Sequence, residues 1–512
     1  MACPPARDSI AEAAEECKEL VIHILPDIPL EPSEWPECCI YRVPEQLCKV
    51  NGEAYTPKLV SIGPFHHGND ELKDMEKHKQ RYLMDFLFRT QKSQKDLNDT
   101  DKILLALLKI IEDNEIKIRH CYSEDCSLNS KDFVKMILLD AIFIIELFLK
   151  DKEKKGDYIS SQPWLRHGIL HDLILLENQL PFFVLEKLYM FAFNDSSVCN
   201  HCKEGKQIEE HKEDLKNEDA PFVRLSRNYF GCYDKDKDKE PKSIIPIGEE
   251  VKHFTDLLRY LLCPPNMEEY WKRKMKRWTS EEEFLHSSKK TKTTKSGTQF
   301  CATKLDDAGL KFKVKYNGRL LGITLPGCLG CFPCFGLSCL CACLPCLICF
   351  PSLTCLLGCF GFPMHIFKVP QLVIDHDTEA IFRNLMALEQ CLYPSKTYIC
   401  SYLLLLDGLI DTEKDVDLLV DKKIIVNHFS NNGDVAALIN KLGYQIGITK
   451  SSYFSRISEK LNEHYEFTLN HFLATLRREY FTNIFRGTAT VVGLIILGFT
   501  FWSFLRPFVV EN

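Results

Sequence analysis

The last segment of this chain is the feature that most limits how it can fold. From Gly487 to Leu505 the sequence runs for 19 residues without a charged side chain. A helix rises about 1.5 Å per residue, so this run nearly matches a hydrocarbon core ~30 Å thick. It therefore predicts a C-terminal transmembrane helix over residues 487–505. The residues expected to contact lipid are Val491, Val492, Leu494, Ile495, Ile496, Leu497, Phe499, Phe501 and Trp502.

The charges around this run predict its orientation. Arg477, Arg478 and Arg486 precede it and only Arg506 follows, and an excess of positive charge marks the cytosolic side of a span. Residues 12–19 carry four glutamates where a secretory signal would need an apolar core. We therefore expect a single-pass membrane protein with a C-terminal anchor and a cytosolic body.

Length and charge set the domain organisation. The 512 residues can form several cores, and the net charge of −7 gives no reason to expect a nucleic-acid partner. Residues 1–36 are predicted to be an amphipathic or irregular N-terminal segment, and residues 37–483 the body. Within the body, mixed-charge loops are expected near 199–242 and a basic linker over 271–296.

Hydrophobic periodicity predicts a mainly α-helical body with a small β-hairpin unit, followed by the transmembrane helix. Asp132–Lys150 is apolar nearly all round, which is typical of a central buried helix. Alternation from Leu310 to Lys315, followed by Asn317-Gly318, predicts a hairpin. A third strand near 366–374 is expected at an edge because it contains Pro370. Apolar residues spaced by three or four over 457–480 predict a single coiled-coil-like stem helix.

Residues 326–363 form an apolar insertion that contains ten of the 24 cysteines. Zinc binding is disfavoured because the neighbouring side chains are uncharged, whereas structural zinc sites have polar surroundings. S-acylation is the preferred interpretation, and translated non-coding sequence is the alternative. The other cysteines are expected to be reduced thiols that act as small hydrophobes. The predicted S-acylation sites are Cys328, Cys331, Cys334, Cys343, Cys346 and Cys349.

Several polar residues lie within apolar runs. Asp140 and Glu146 are six residues apart, about 120° around a helix, so they are not expected to act as an acid–base pair. Glu177-Asn178-Gln179 precedes Leu180-Pro181 and is expected to bond backbone groups that the proline leaves unpaired.

Four blocks of sequence carry a resemblance to a known family. The first contains Ile40-Tyr41-Arg42-Val43-Pro44 and Val60–Gly68, the second is Phe143–Phe148, the third is Leu175–Phe183, and the fourth contains Asp377-Thr378-Glu379. On these blocks the chain resembles the plant domain of unknown function 247 from about residue 38 to the C-terminus, although residues 326–363 have no counterpart there. The resemblance implies a mostly helical protein with one C-terminal membrane span and no established enzymatic activity. Some relatives are implicated in self/non-self recognition during pollination.

These observations predict a membrane-anchored, non-enzymatic protein-interaction or recognition module. Its expected partners are the lipid bilayer and an unidentified protein, with no cofactor and no catalytic residue; the oligomeric state is left open. One alternative is a metal-dependent hydrolase that uses His66, His67 and Glu76. The other is an outward-facing receptor-like protein, for which Asn98-Asp99-Thr100 and Asn194-Asp195-Ser196 would be glycosylation sequons.

Overall fold

The structure is a computed structural model. It describes residues 31, 34–93, 99–193, 219–234, 243–246, 249–264, 267, 269–270, 300–316, 318–329, 364–444, 446, 453–480 and 484–510. The sequons' Asn98 and 194–196, most of residues 1–36 and the linker 271–296 lie outside these ranges.

The first half of the described chain is helical. Short 3-10 turns lie at Gly52–Tyr55 and Asp70–Leu72. The helices are α1 (Glu45–Cys48), α2 (Lys73–Ser93), α3 (Thr100–Glu112), α4 (Glu115–Arg119), α5 (Ser130–Glu153), α6 (Pro163–Asp172), α7 (Phe182–Phe193), α8 (Pro221–Tyr229) and α9 (Phe254–Leu262).

The second half combines helices with five short strands. They are α10 (Ala302–Asp307), β1 (Lys311–Lys315), β2 (Thr324–Leu329), β3 (Met364–Pro370), β4 (Leu372–Ile374), α11 (Thr378–Cys391), α12 (Tyr398–Leu409), α13 (Glu413–Asp421), β5 (Ile425–Asn427), α14 (Asn432–Gly443), α15 (Ser455–Glu466), α16 (Thr468–Tyr480) and α17 (Ile484–Val510).

Helix α5 is the centre of the first half, as the sequence predicts. Asn129 begins the helix by accepting a hydrogen bond from the amide of Asp132 (3.0 Å), and Lys154 ends it in a left-handed conformation. Residues 136–149 are buried all round because α2, α3, α7 and α8 pack against the helix. The ring of Phe148 lies 4.2 Å from that of Tyr229 and 5.4 Å from that of Phe254, centroid to centroid.

A buried ion pair joins the two halves. Nε of Arg259 in α9 lies 3.0 Å from Oε1 of Glu389 in α11. The same carboxylate accepts the amides of Ile399 and Cys400 at the start of α12, both at 2.9 Å. One continuous apolar core runs through both halves.

The predicted β-hairpin is wrong. Strand β3 lies between β1 and β2, parallel to β1 and antiparallel to β2, so β1 and β2 are not neighbours. The guanidinium of Arg319 donates to the carbonyls of Tyr260 and Cys263 (both 2.8 Å), which draws the segment after β1 onto the end of α9. Strand β3 is central although it contains Pro370, because this proline is the last residue of the strand, where a missing N–H costs little. Strands β4 and β5 form a separate parallel pair.

The predicted stem helix over 457–480 is two helices, α15 and α16. Phe467 between them is extended. The side chain of Asn470 donates to the carbonyl of His464 (2.8 Å) and so bonds a group at the end of α15 that a continuous helix would pair internally. The expected loop region 199–242 also contains a partly buried helix, α8, whereas 199–218 and 235–242 are not described.

The predicted transmembrane helix, and the single-pass membrane localisation inferred from it, are wrong. Over the ranges that the structure describes, no helix has both the length and the apolar character needed to cross a bilayer. The prediction rested on the length of the uncharged run, and the absence of charge does not by itself establish a span. The hydroxyls of Thr488, Thr490 and Thr500 donate to carbonyls of α17 itself.

The residues expected to anchor the chain do form part of α17. The side chains of Val491 and Leu494 lie outside those described. The exposed ones are Val492, Ile495, Ile496, Leu497, Phe499, Phe501 and Trp502.

We expect Phe148→Ala to lower the free energy of unfolding by about 3–5 kcal/mol, because it leaves a cavity among packed rings. Urea unfolding of the purified chain measures the change. Phe88→Ala is the matched control, since Phe88 is 51% exposed and Phe148 is 1% exposed. The control is expected to stay within about 0.5 kcal/mol of the unmodified protein. Equal losses in the two variants would contradict the assigned core.

Candidate functional site

A polar cluster holds the loop of residues 57–69, and its first component is Asp172 at the end of α6. This buried carboxylate accepts the backbone amides of Lys58 (3.0 Å), Leu59 (2.7 Å) and Val60 (2.9 Å). Three consecutive N–H groups therefore point at one side chain. An ionised acceptor makes each of these hydrogen bonds stronger than a neutral one.

Asn178 holds the next part of the loop. Its Oδ1 accepts the amide of Ile62 (2.7 Å), and its Nδ2 donates to the carbonyls of Val60 (3.0 Å) and Asp172 (2.9 Å). Both of its amide protons are paired, as a fully buried amide requires. Gly63 follows with a φ of +72°, and a Cβ there would lie 2.5 Å from the carbonyl oxygen of Gln179. Only glycine fits this turn.

A buried ion pair lies beneath the same loop. Nζ of Lys79 in α2 lies 2.6 Å from Oδ1 of Asp140 in α5 and also donates to the carbonyl of Ser61 (2.7 Å). The other oxygen of Asp140 accepts the amide of Gly63 (2.8 Å). Burial lowers the pKa of Lys79, but the carboxylates of Asp140 and Glu76 outweigh it, so the pKa is raised and the ammonium stays charged.

Glu177 closes the cluster on the side nearest solvent. Its Oε1 accepts the amide of Val43 (2.8 Å), and its Oε2 lies 2.8 Å from Nη1 of Arg42 and 3.4 Å from Nε2 of His66. Burial raises the pKa of Glu177, but His66, the Val43 amide and Arg42 together leave it below its ordinary value of 4.5. The Arg42 guanidinium also lies 4.4 Å from the ring centre of Phe65.

Glu177-Asn178-Gln179 bonds backbone groups, as predicted, but these are not the groups that Pro181 leaves unpaired. Gln179 donates to the carbonyls of Leu173 and Leu175 (both 2.7 Å) and accepts the amide of Phe254 (2.9 Å). The triplet thus bonds the irregular segment before Pro181, but it also reaches the loop of residues 57–69 and the start of α9.

Asp140 and Glu146 have separate partners, as their spacing predicts. Oε2 of Glu146 lies 2.8 Å from Nε of Arg89, whereas Asp140 pairs with Lys79. Burial raises the pKa of Glu146, and Arg89 reduces that rise without cancelling it.

The alternative metal site is not assembled. His66 lies against Glu177, His67 is exposed, and Glu76 pairs with Lys79 (2.5 Å). Among the described residues, no three His, Cys, Asp or Glu side chains are close enough to hold a metal ion together. Of the predicted S-acylation sites, Cys328 lies in β2 without a described side chain, and Cys331, Cys334, Cys343, Cys346 and Cys349 lie outside the described residues.

Sequence reasoning missed Arg42, Lys79 and Asp172. Two of these residues could have been found from their positions on a helix. Lys79 follows Met75 and precedes Tyr82 on one face of α2, so a charged side chain lies in an apolar stripe. Asp172 likewise continues the buried face of Leu165 and Ile169 in α6. A lone charge on a buried face requires a buried partner.

The fold and the cluster define a mainly helical protein whose buried polar side chains bond its own loops. The chain belongs to the DUF247 family, described as plant proteins of unknown function, whose model matches residues 40–499. It is similar to the UPF0481 protein At3g47200 of Arabidopsis thaliana, with 28% identity over 92% of this chain and 87% of the relative. The putative UPF0481 protein At3g02645 of the same plant is 21% identical over 83% of this chain and 82% of its own length. No solved structure matches the chain.

We expect Asp172→Asn to destabilise the protein by about 1–3 kcal/mol, because one carbonyl oxygen replaces two carboxylate oxygens that accept three amides. The same variant should speed hydrogen exchange at the amides of Lys58, Leu59 and Val60. Asp151→Asn is the control, since the Asp151 carboxylate pairs with the exposed Arg166 (2.7 Å), and this variant should cost less than about 1 kcal/mol. Unchanged exchange at these three amides would contradict the assigned role.

The stability conferred by Glu177 should depend on pH. Its pKa is lowered on folding, so its ionised form stabilises the fold above pH 4.5, and this contribution is lost as the pH falls through the folded-state pKa. The difference in unfolding free energy between the unmodified protein and Glu177→Gln should therefore be larger at pH 7 than in acid. Glu124→Gln is the control, since this side chain is 55% exposed, and it should cost less than about 1 kcal/mol at pH 7. A difference for Glu177→Gln that does not change with pH would contradict this assignment.

Proposed function

We propose that this protein is a non-enzymatic interaction module that recognises another protein through the recognition loop, defined as residues 64–69. The observation that supports the proposal is that the acidic side chains of the cluster are occupied by structural hydrogen bonds. Asp172, Glu177 and Asp140 all accept amides of the chain's own backbone. Asp172 and Asp140 hold residues 58–63, directly before the recognition loop, and Oε2 of Glu177 lies 3.4 Å from Nε2 of His66 within it.

The same contacts argue against acid–base or nucleophilic chemistry at this cluster. A catalytic acid or base needs a functional atom within hydrogen-bond reach of a substrate. Here Asp172 and Asn178 are buried and bond backbone groups, and Glu177 holds both Val43 and Arg42. Any substrate would have to displace bonds that define the loop.

The recognition loop has the properties of a preorganised contact surface. The amide of His67 donates to the carbonyl of Pro64 and that of Asn69 to the carbonyl of His66, both at 3.3 Å. Asn69 in turn accepts the amide of Glu71 (3.1 Å), and Gly68 adopts a φ of +81°. His67 is exposed at the tip. A loop that is ordered before binding loses less conformational entropy on association, so its contacts contribute more to affinity.

The test is site-specific photo-crosslinking in plant extract. A photoreactive amino acid replaces His67 in one full-length protein and Leu105 in the control, since Leu105 is 65% exposed on α3. We expect a discrete crosslinked species at position 67 that is absent at position 105. Adding Asp172→Asn should weaken this crosslink, because the loop is then less well ordered.

Two results would overturn the proposal. Equal crosslinking at positions 67 and 105 would mean that the loop has no special role. Stoichiometric zinc in the purified protein that is lost in His66→Ala would favour the metal-dependent hydrolase.

A further inference from the structure

We propose that Cys39 and Cys121 are a disulfide-forming pair that links the segment carrying Arg42 to the segment after α4. The proposal does not depend on the recognition function, and for these two cysteines it replaces the expectation of reduced thiols. It rests on the position of two thiols that are 82 positions apart in the sequence and adjacent in the fold.

The backbone brings the two cysteines side by side. Residues Ile40 and Tyr122 form a parallel β-bridge, and each is preceded by one of the cysteines. The amides of Cys39 and Ile40 both donate to the carbonyl of Cys121, at 2.9 and 2.8 Å, and the amide of Ser123 donates to that of Ile40 (2.9 Å). Paired strands lie ~4.8 Å apart, which falls within the ~4.4–6.8 Å between Cα atoms that a disulfide requires.

The side chains meet on the same face of this bridge. The thiol of Cys39 hydrogen-bonds to that of Cys121, whose Sγ also lies 3.2 Å from the carbonyl oxygen of Lys117. Both cysteines are buried free thiols in the structure. Cys38 is the neighbouring thiol, and it hydrogen-bonds to Tyr41.

The oxidant in this proposal is a small-molecule disulfide such as oxidised glutathione. One cysteine thiolate attacks it, forms a mixed disulfide and releases one glutathione thiolate. The second cysteine thiolate then attacks the protein sulfur, forms the Cys39–Cys121 bond and releases the second glutathione. The two protein thiols lose two electrons and two protons, and the small disulfide is reduced to two thiols.

Burial determines when this exchange occurs. The bond to Cys121 and burial raise the pKa of the Cys39 thiol, so the closed bridge holds little thiolate. We therefore assign the exchange to the folding chain, before the bridge closes. Once formed, the bond is buried and protected from external thiols.

The crosslink would act on the candidate site. The amide of Arg42 donates to Oγ of Ser123 (2.9 Å), and Nε of Arg42 lies 3.2 Å from Glu124. These contacts position Arg42 against Glu177. A covalent bond three residues before Arg42 would keep this segment in place when the pH or the denaturant weakens the ion pairs.

The experiment is refolding of the full-length chain in a mixture of oxidised and reduced glutathione, followed by alkylation of the remaining thiols. Cleavage after glutamate separates residues 38–45 from residues 116–124, and Glu124 keeps Cys126 out of the second peptide. We expect non-reducing mass spectrometry to find these two peptides linked. The link should persist in Cys38→Ser, which leaves Cys39 as the single thiol of its peptide, and disappear in Cys121→Ser.

Reduction should lower the urea midpoint of the refolded protein and leave that of Cys121→Ser unchanged. Alkylated Cys39 and Cys121 in the refolded unmodified protein would overturn the proposal. So would a link from Cys38 to Cys391 in place of the expected one. The decisive measurement needs no variant, so a substitution that prevents folding does not affect the outcome.

Discussion

The structure depends on how the irregular segment 173–181 satisfies its buried backbone groups. This segment joins α6 to α7 through the core, where water is not available to its amides and carbonyls. The hydroxyl of Thr255 donates to the carbonyl of Ile174 (2.9 Å), and Oδ1 of Asn384 accepts the amide of Leu176 (2.8 Å). Because Thr255 lies in α9 and Asn384 in α11, these bonds also fix the second half of the chain against the first.

The loop of residues 57–69 also depends on side chains from other parts of the chain to pair its backbone groups. Its amides have no strand or helix to bond, and Asp172, Asn178 and Asp140 accept them instead. An unpaired buried amide costs about 1–3 kcal/mol, so the loop and these side chains stabilise each other. The buried polar side chains therefore help to hold the fold together, and the apolar packing around α5 keeps them in position.

The sequence predicts the elements whose signals are local. The run from Asp132 to Lys150, for example, predicts α5. The sequence does not predict strand order, because β3 joins the sheet from a distant part of the chain. Nor does it predict the partners in the candidate site, since Arg42 and Glu177 are 135 residues apart.

The order of the strands explains why the chain tolerates the long insertion between β2 and β3. Leu329 ends β2 and Met364 begins β3, and the two residues are paired across the antiparallel ladder. The end of β2 and the start of β3 are thus one strand spacing apart, the separation that a tight turn closes. Extra sequence can be inserted here without changing the pairing of the strands, because the entropic cost of closing a loop grows only slowly with its length. This junction is therefore a natural place to splice in a tag or a reporter.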